Sequence, residues 1–95
     1  MKGVLIAVLS IVAPLAVAAQ PPEEVFRASC GVCHDGQLAS APQKGDSQAW
    51  AARLTKGNDV LLENVKKGYS VMPPKGMCFT CTDDDLRAVI DWMAH

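Results

Sequence analysis

An all-α domain is what this sequence predicts, and three observations predict it. Four segments carry helix caps or apolar residues at helical spacing, and no segment reads as a convincing strand. The stretch densest in Gly and Pro, residues 69 to 81, lies between the third and fourth segments, where a loop belongs.

The first helix opens at Pro21-Pro22, because an opening turn tolerates proline's missing N–H. Glu23 and Glu24 suit its positive end, and it runs through Phe26 towards Cys30. Asp46 or Ser47 is the N-cap of the second helix, which buries Trp50 and Leu54 and stops at Gly57. Asn58 caps the third, which carries Val60, Leu61, Leu62 and Val65, and Gly68 ends it. The last opens with Thr82 and an acid three positions on, Asp85, a capping-box-like start. Leu86, Val89, Ile90 and Met93 then give it one apolar face. Gln37 to Gly45, holding Pro42, reads as a loop that wraps over something.

Residues 1–19 stand apart from this domain. Lys2 supplies a positive start, and Val4 to Val17 is nearly all apolar. Ala16-Val17-Ala18 and Val17-Ala18-Ala19 both offer the small residues that signal peptidase needs, so the segment reads as a cleaved signal peptide. The competing reading is a retained transmembrane anchor. The run is near the lower limit for spanning, Pro14 interrupts it, and one charge precedes it. Cleavage falls after Ala18 or Ala19, and the exported domain is residues 20–95, destined for the periplasm without stable membrane insertion.

Such a domain, about 76 residues long, is marginal for a purely hydrophobic core and needs a disulfide, metal or cofactor staple. Without Lys2 it has eight basic and ten acidic side chains, which excludes a nucleic-acid binder driven by phosphate attraction. Free thiols do not persist in an oxidising compartment, so all four cysteines need a bonding role.

Cys30-Gly31-Val32-Cys33-His34 matches the pattern of covalent haem c attachment. Two cysteines three positions apart can each add across one of two neighbouring vinyl groups on one porphyrin edge. The adjacent His34 then supplies an imidazole to the iron. Two alternatives compete: a Cys30–Cys33 disulfide, or a four-thiolate zinc site made with Cys78 and Cys81. The His after the second cysteine, the export signal and a methionine-bearing loop favour haem.

Met/His coordination fills both axial positions and raises the potential, as an electron carrier requires. Met1 lies in the leader, and Met93 on the apolar stripe of the last helix. Met77, between Gly76 and Cys78, reads as a loop-packing residue. Met72 precedes Pro73-Pro74, which stiffen the chain and lower the ordering cost of presenting a sulfur, so Met72 is the expected sixth ligand.

These residues resemble class I cytochromes c, in particular the cytochrome c5 group of bacterial periplasmic carriers, over essentially the whole of residues 20–95. The likeness rests on Cys30 to His34, Ala41-Pro42, Gly45-Asp46, Trp50, the loop Met72-Pro73-Pro74-Lys75-Gly76, and Cys78-x-x-Cys81 before an acidic helix start. It implies haem ligation by His34 and Met72, and a Pro42 carbonyl accepting from the other nitrogen of His34. It also implies that the first and last helices cross beside the haem, Phe26 meeting Val89 and Trp92. The start at Pro21-Pro22 makes the first helix shorter than in mitochondrial relatives.

Trp50 and Arg53 are candidates to meet a haem propionate, with an exposed Arg53 as the alternative. The lysines at 44, 56, 66, 67 and 75 read as a solvated face, Lys75 being the one to rim the haem edge and steer a partner. Cys78 and Cys81 read as a structural disulfide. The expected function is single-electron transfer with redox-partner proteins, a membrane-bound oxidase or reductase among them. The rivals are a peroxidase-like haem enzyme, a subunit of a larger oxidoreductase, and a thiol–disulfide oxidoreductase using Cys78 and Cys81.

Overall fold

A computed structural model describes residues 3–11 and 18–95. Lys2, Pro14 and the Ala16-Val17 pair of the expected leader lie outside the described residues. The predicted first helix is present and continues to His34, in three pieces: α1 (Pro22–Val25), a π-helical turn (Phe26–Cys30) and α2 (Gly31–His34). The wide turn forms because the Gly31 N–H bonds to the Phe26 carbonyl, five residues back. A Cβ on Gly31 would lie 2.9 Å from that oxygen and 3.2 Å from the Phe26 ring, so any larger residue would force the turn to shift.

Asp46 is the N-cap of α3 (Ser47–Leu54), its Oδ1 accepting from the Ala49 N–H at 3.2 Å. The helix ends at Leu54, three residues earlier than the expected stop at Gly57, because Thr55 to Gly57 tighten into turns. The cap of α4 (Asn58–Lys67) differs from expectation too. Gly57 takes the cap position, and Asn58 is the first helical residue, with no side-chain cap bond. Gly68 ends α4 as expected.

Among the described residues the nearest thing to a strand is an isolated bridge between Tyr69 and Met72. A 3-10 turn (Pro74–Met77) and the Cys78–Cys81 disulfide, with a Cα–Cα distance of 5.5 Å, lead into α5 (Asp83–Ala94). The capping box is reciprocal: the Asp85 N–H donates to Thr82 Oγ1, and the Thr82 N–H to Asp85 Oδ2.

α5 is the centre of the molecule. Its predicted apolar face is the face that is buried, with Leu86 and Val89 essentially inaccessible and Ile90 and Met93 close to it. Phe26 of the π-turn meets Trp92 with ring centroids 5.0 Å apart and planes tilted by 57°, so the first and last helices cross through this aromatic pair. Leu61 and Leu62 of α4 close the other side, Val65 packs at the edge, and Val60 points to solvent. Two surface ion pairs, Arg87–Asp59 and Lys66–Asp83, also join α4 to α5.

Candidate functional site

α2 ends on His34, a residue only 8% exposed. Its Nδ1 lies 2.7 Å from the Pro42 carbonyl oxygen. A carbonyl can only accept, so Nδ1 carries the proton and Nε2 keeps its lone pair for a metal. The indole of Trp50 lies 6.0 Å from the imidazole and nearly parallel to it, and the Lys44 N–H donates to the His34 carbonyl.

A cavity of about 760 Å³ opens beside this imidazole. Cys30, Cys33 and His34 form one wall, Leu61, Val65 and Ile90 contribute apolar surface, and Met72 lines it as well. Cys30 is buried, Cys33 half-buried, and both are free thiols. Burial pushes the Cys30 thiol up, which disfavours a reactive thiolate. The expected zinc alternative fails here. The sulfurs of Cys78 and Cys81 are bonded to each other, and among the described residues no three His, Cys, Asp or Glu side chains converge. The Cys30–Cys33 disulfide fails for the same kind of reason, both being free. Two thiols, an imidazole lone pair, a thioether and apolar walls suit a porphyrin attached along one edge.

Met72 is held from both sides. Tyr69 and Met72 exchange backbone hydrogen bonds of 3.1 and 2.9 Å, and Pro73 and Pro74 restrict the chain that follows. Gly68 has φ of 87°, and a Cβ there would lie 3.0 Å from the Met72 carbonyl oxygen, so this loop packs down onto the end of α4. Met77 and Met93 also line the cavity. Met93 is 3% exposed and part of the core, as expected. Met77 is 60% exposed with φ of 71°, so the packing role expected of it does not hold.

Four side chains singled out in the sequence make contacts that the sequence did not reveal. The Trp50 indole N–H donates to the Gln43 carbonyl at 2.8 Å, so its one donor is already engaged and not free for a propionate. Arg53 lines the cavity, but its guanidinium donates back to the Ala49 carbonyl of its own helix. Lys75 turns to the Cys81 carbonyl at 3.4 Å, away from the rim, and Lys56 lines the cavity instead. Lys44 is more than part of a solvated face, since its ammonium sits 4.3 Å above the Trp92 ring.

Two residues escaped the sequence reading. Gln43 bonds to several backbone groups around His34, and a lone glutamine in a loop carries no signal. Asp85 serves more than its helix: it is 2% exposed and also accepts from the backbone and side-chain N–H groups of Gln20. Its place in a capping box was legible, but its distant partner was not.

Comparison with known proteins decides the family. Residues 17–93 match the family described as cytochrome c oxidase, cbb3-type, subunit III. Cytochrome c5 of Azotobacter vinelandii is 41% identical over 78 residues, covering 80% of this chain and 94% of its own. The chain belongs to the c-type cytochromes. This cytochrome carries one covalent haem c through a pair of cysteines and functions in electron transfer rather than as an enzyme. Its one Cys-x-x-Cys-His is Cys30 to His34, whereas Cys81 is followed by Thr82. The fold matches a mono-haem ferrocytochrome c from Shewanella putrefaciens with a TM-score of 0.72 and 41% identity, covering 82% of this chain and 96% of that one. It also matches a chain of an electron-transfer complex of nitrite reductase with cytochrome c, with a TM-score of 0.70 and 41% identity over 81% of this chain and 95% of that one.

Proposed function

We propose that this cytochrome is a soluble periplasmic carrier of single electrons. Cys30 and Cys33 hold its haem as thioethers, and His34 and Met72 are the axial ligands. The observation that carries this reading is the hydrogen bond from His34 Nδ1 to the Pro42 carbonyl. It fixes the tautomer and leaves Nε2 as the ligating atom on a residue that lines the cavity. Haem c supplies the one-electron chemistry. Pro42 orients His34, and the Tyr69–Met72 turn with Pro73 and Pro74 presents the thioether. Both axial positions are then filled by protein, which suits electron transfer and keeps external ligands off the iron.

Residues 1–19 are read as a signal peptide cleaved at the edge of the domain. The support is a change of environment: Gln20 is bonded to Asp85, whereas Val4 to Ile11 are exposed. The partners are redox proteins. A relative solved in an electron-transfer complex with nitrite reductase supports a reductase as one of them, and a membrane-bound oxidase or reductase is the other class.

The test is acid–acetone extraction of protein made in a strain competent in haem attachment, followed by intact mass. The expected product keeps its haem and weighs the chain from Ala19 or Gln20 to His95 plus one haem. Haem lost to the organic phase would overturn the attachment at Cys30 and Cys33.

A further inference from the structure

The loop before α3 makes few backbone hydrogen bonds of its own. From Asp35 to Pro42 they are the Asp35 N–H to Gly31 and the Ala41 N–H to Leu38; only beyond Pro42 do the Lys44 N–H bond to His34, the Gly45 N–H to Met93 and the Asp46 N–H to Gln43. Yet this loop delivers the Pro42 carbonyl to His34 Nδ1 at 2.7 Å. A segment so sparsely bonded needs another source of order, because an unpaired half-buried carbonyl is costly.

Gln43 is that source. Its Nε2 amide lies 3.2 Å from the Cys33 carbonyl oxygen, 3.1 Å from that of Leu38 and 3.0 Å from that of Ala41. Its Oε1 accepts from the Gly36 N–H. Its backbone carbonyl accepts from both the Asp46 N–H and the Trp50 indole. One residue therefore ties the end of the haem-attachment helix, the middle of the loop and the cap of α3 to a single point. That point is covalently next to Pro42.

We propose that Gln43 is a positioning residue for the proximal ligand, setting the iron's potential by fixing the Pro42 carbonyl against His34. This rests on the reading of His34 as a ligand. The carbonyl draws on the Nδ1 proton and makes the imidazole a stronger donor, which favours ferric iron. Loosening the carbonyl weakens that donation and stabilises the ferrous state. Gln43 acts through Pro42 and His34 without touching the iron. The amide is needed for its two ends, since a hydrocarbon would fill the space but neither donate to the surrounding carbonyls nor accept from Gly36.

The experiment uses the haem-loaded protein and compares Gln43→Ala and Gln43→Glu with the wild type. Gln43→Glu keeps the size and the acceptor for Gly36 but sets a carboxylate against three carbonyls. It decides the matter if Gln43→Ala fails to mature. Asp59→Ala, which removes the exposed pair with Arg87, serves as a control for stability alone. The readouts are the reduction potential, the ferric electron-paramagnetic-resonance g values, which report the imidazole's orientation, and the far-red sulfur-to-iron band. Gln43→Ala should shift the potential upward, and both Gln43 variants should move the g values while the far-red band persists. Asp59→Ala should move neither. A lowered melting temperature with potential and g values unchanged would overturn the proposal and leave Gln43 as ordinary loop packing. Low-spin iron persisting in His34→Ala is a different failure: it would remove the ligand assignment itself.

Discussion

Met72 is held by its backbone before its sulfur reaches anything. Two hydrogen bonds to Tyr69 and two following prolines leave the side chain's own rotamers as the main freedom to be lost on ligation. Met72→Ala should therefore abolish the far-red sulfur-to-iron band, lower the reduction potential and admit carbon monoxide to the reduced iron. Met77→Ala and Met93→Ala should keep the band, with Met93→Ala costing about 2–5 kcal/mol as a core truncation. Absorption spectra of the three variants check this. A band lost in Met77→Ala and kept in Met72→Ala would reverse the assignment. The stiffness of the chain around Met72 was legible from proline placement, because stiffness is a local property. The engagement of Trp50 with Gln43 was not, because an indole N–H takes whatever acceptor the folded loop brings to it.

The π-turn and the disulfide act on the elements that carry the proposed ligands. Gly31→Ala would press a Cβ against the Phe26 carbonyl and ring, so the helix bearing Cys30, Cys33 and His34 must shift. A cost of about 1–3 kcal/mol is expected, with a lower melting temperature of the haem-loaded protein. A variant that melts like the wild type would show that the turn tolerates the extra carbon.

The Cys78–Cys81 bridge closes a very short loop before α5, for which the chain-entropy relation gives on the order of 2 kcal/mol. Replacing both cysteines with Ala should lower the melting temperature and leave haem attachment and electron transfer near normal. Unchanged melting with impaired transfer would assign the pair another role.

The N-cap of α4 did not follow the residue types alone. Asn58 has the chemistry of a cap, yet Gly57 occupies the position. Cap side chains compete with whatever backbone path the neighbouring helices impose.

At the scale of the whole molecule, Asp85 joins the two ends of the domain. The backbone N–H groups of Thr82 and Gln20 hold its carboxyl below the usual carboxylate value. A depressed folded value means that its stabilisation is present above the unfolded value of about 3.9 and is lost as the pH falls through the folded one. Asp85→Asn should melt earlier than the wild type at neutral pH, and the gap should narrow in acid below about pH 4. Melting curves across that range check it. A constant gap at every pH would show that the ionised form contributes nothing special.

The helix content, the apolar face of α5, the haem-attachment motif and the pairing of Cys78 with Cys81 were all determined by the sequence. Each depends on residues a few positions apart, and covalent geometry turns such spacings directly into structure. The tertiary structure alone decided that Gln43 bonds around His34, that Gln20 meets Asp85, that Lys44 covers Trp92, and that Lys75 turns from the rim to Cys81. Amides, ammoniums and carboxylates bond to any partner within about 3 Å, and which partner arrives there is settled only when helices distant in sequence have packed.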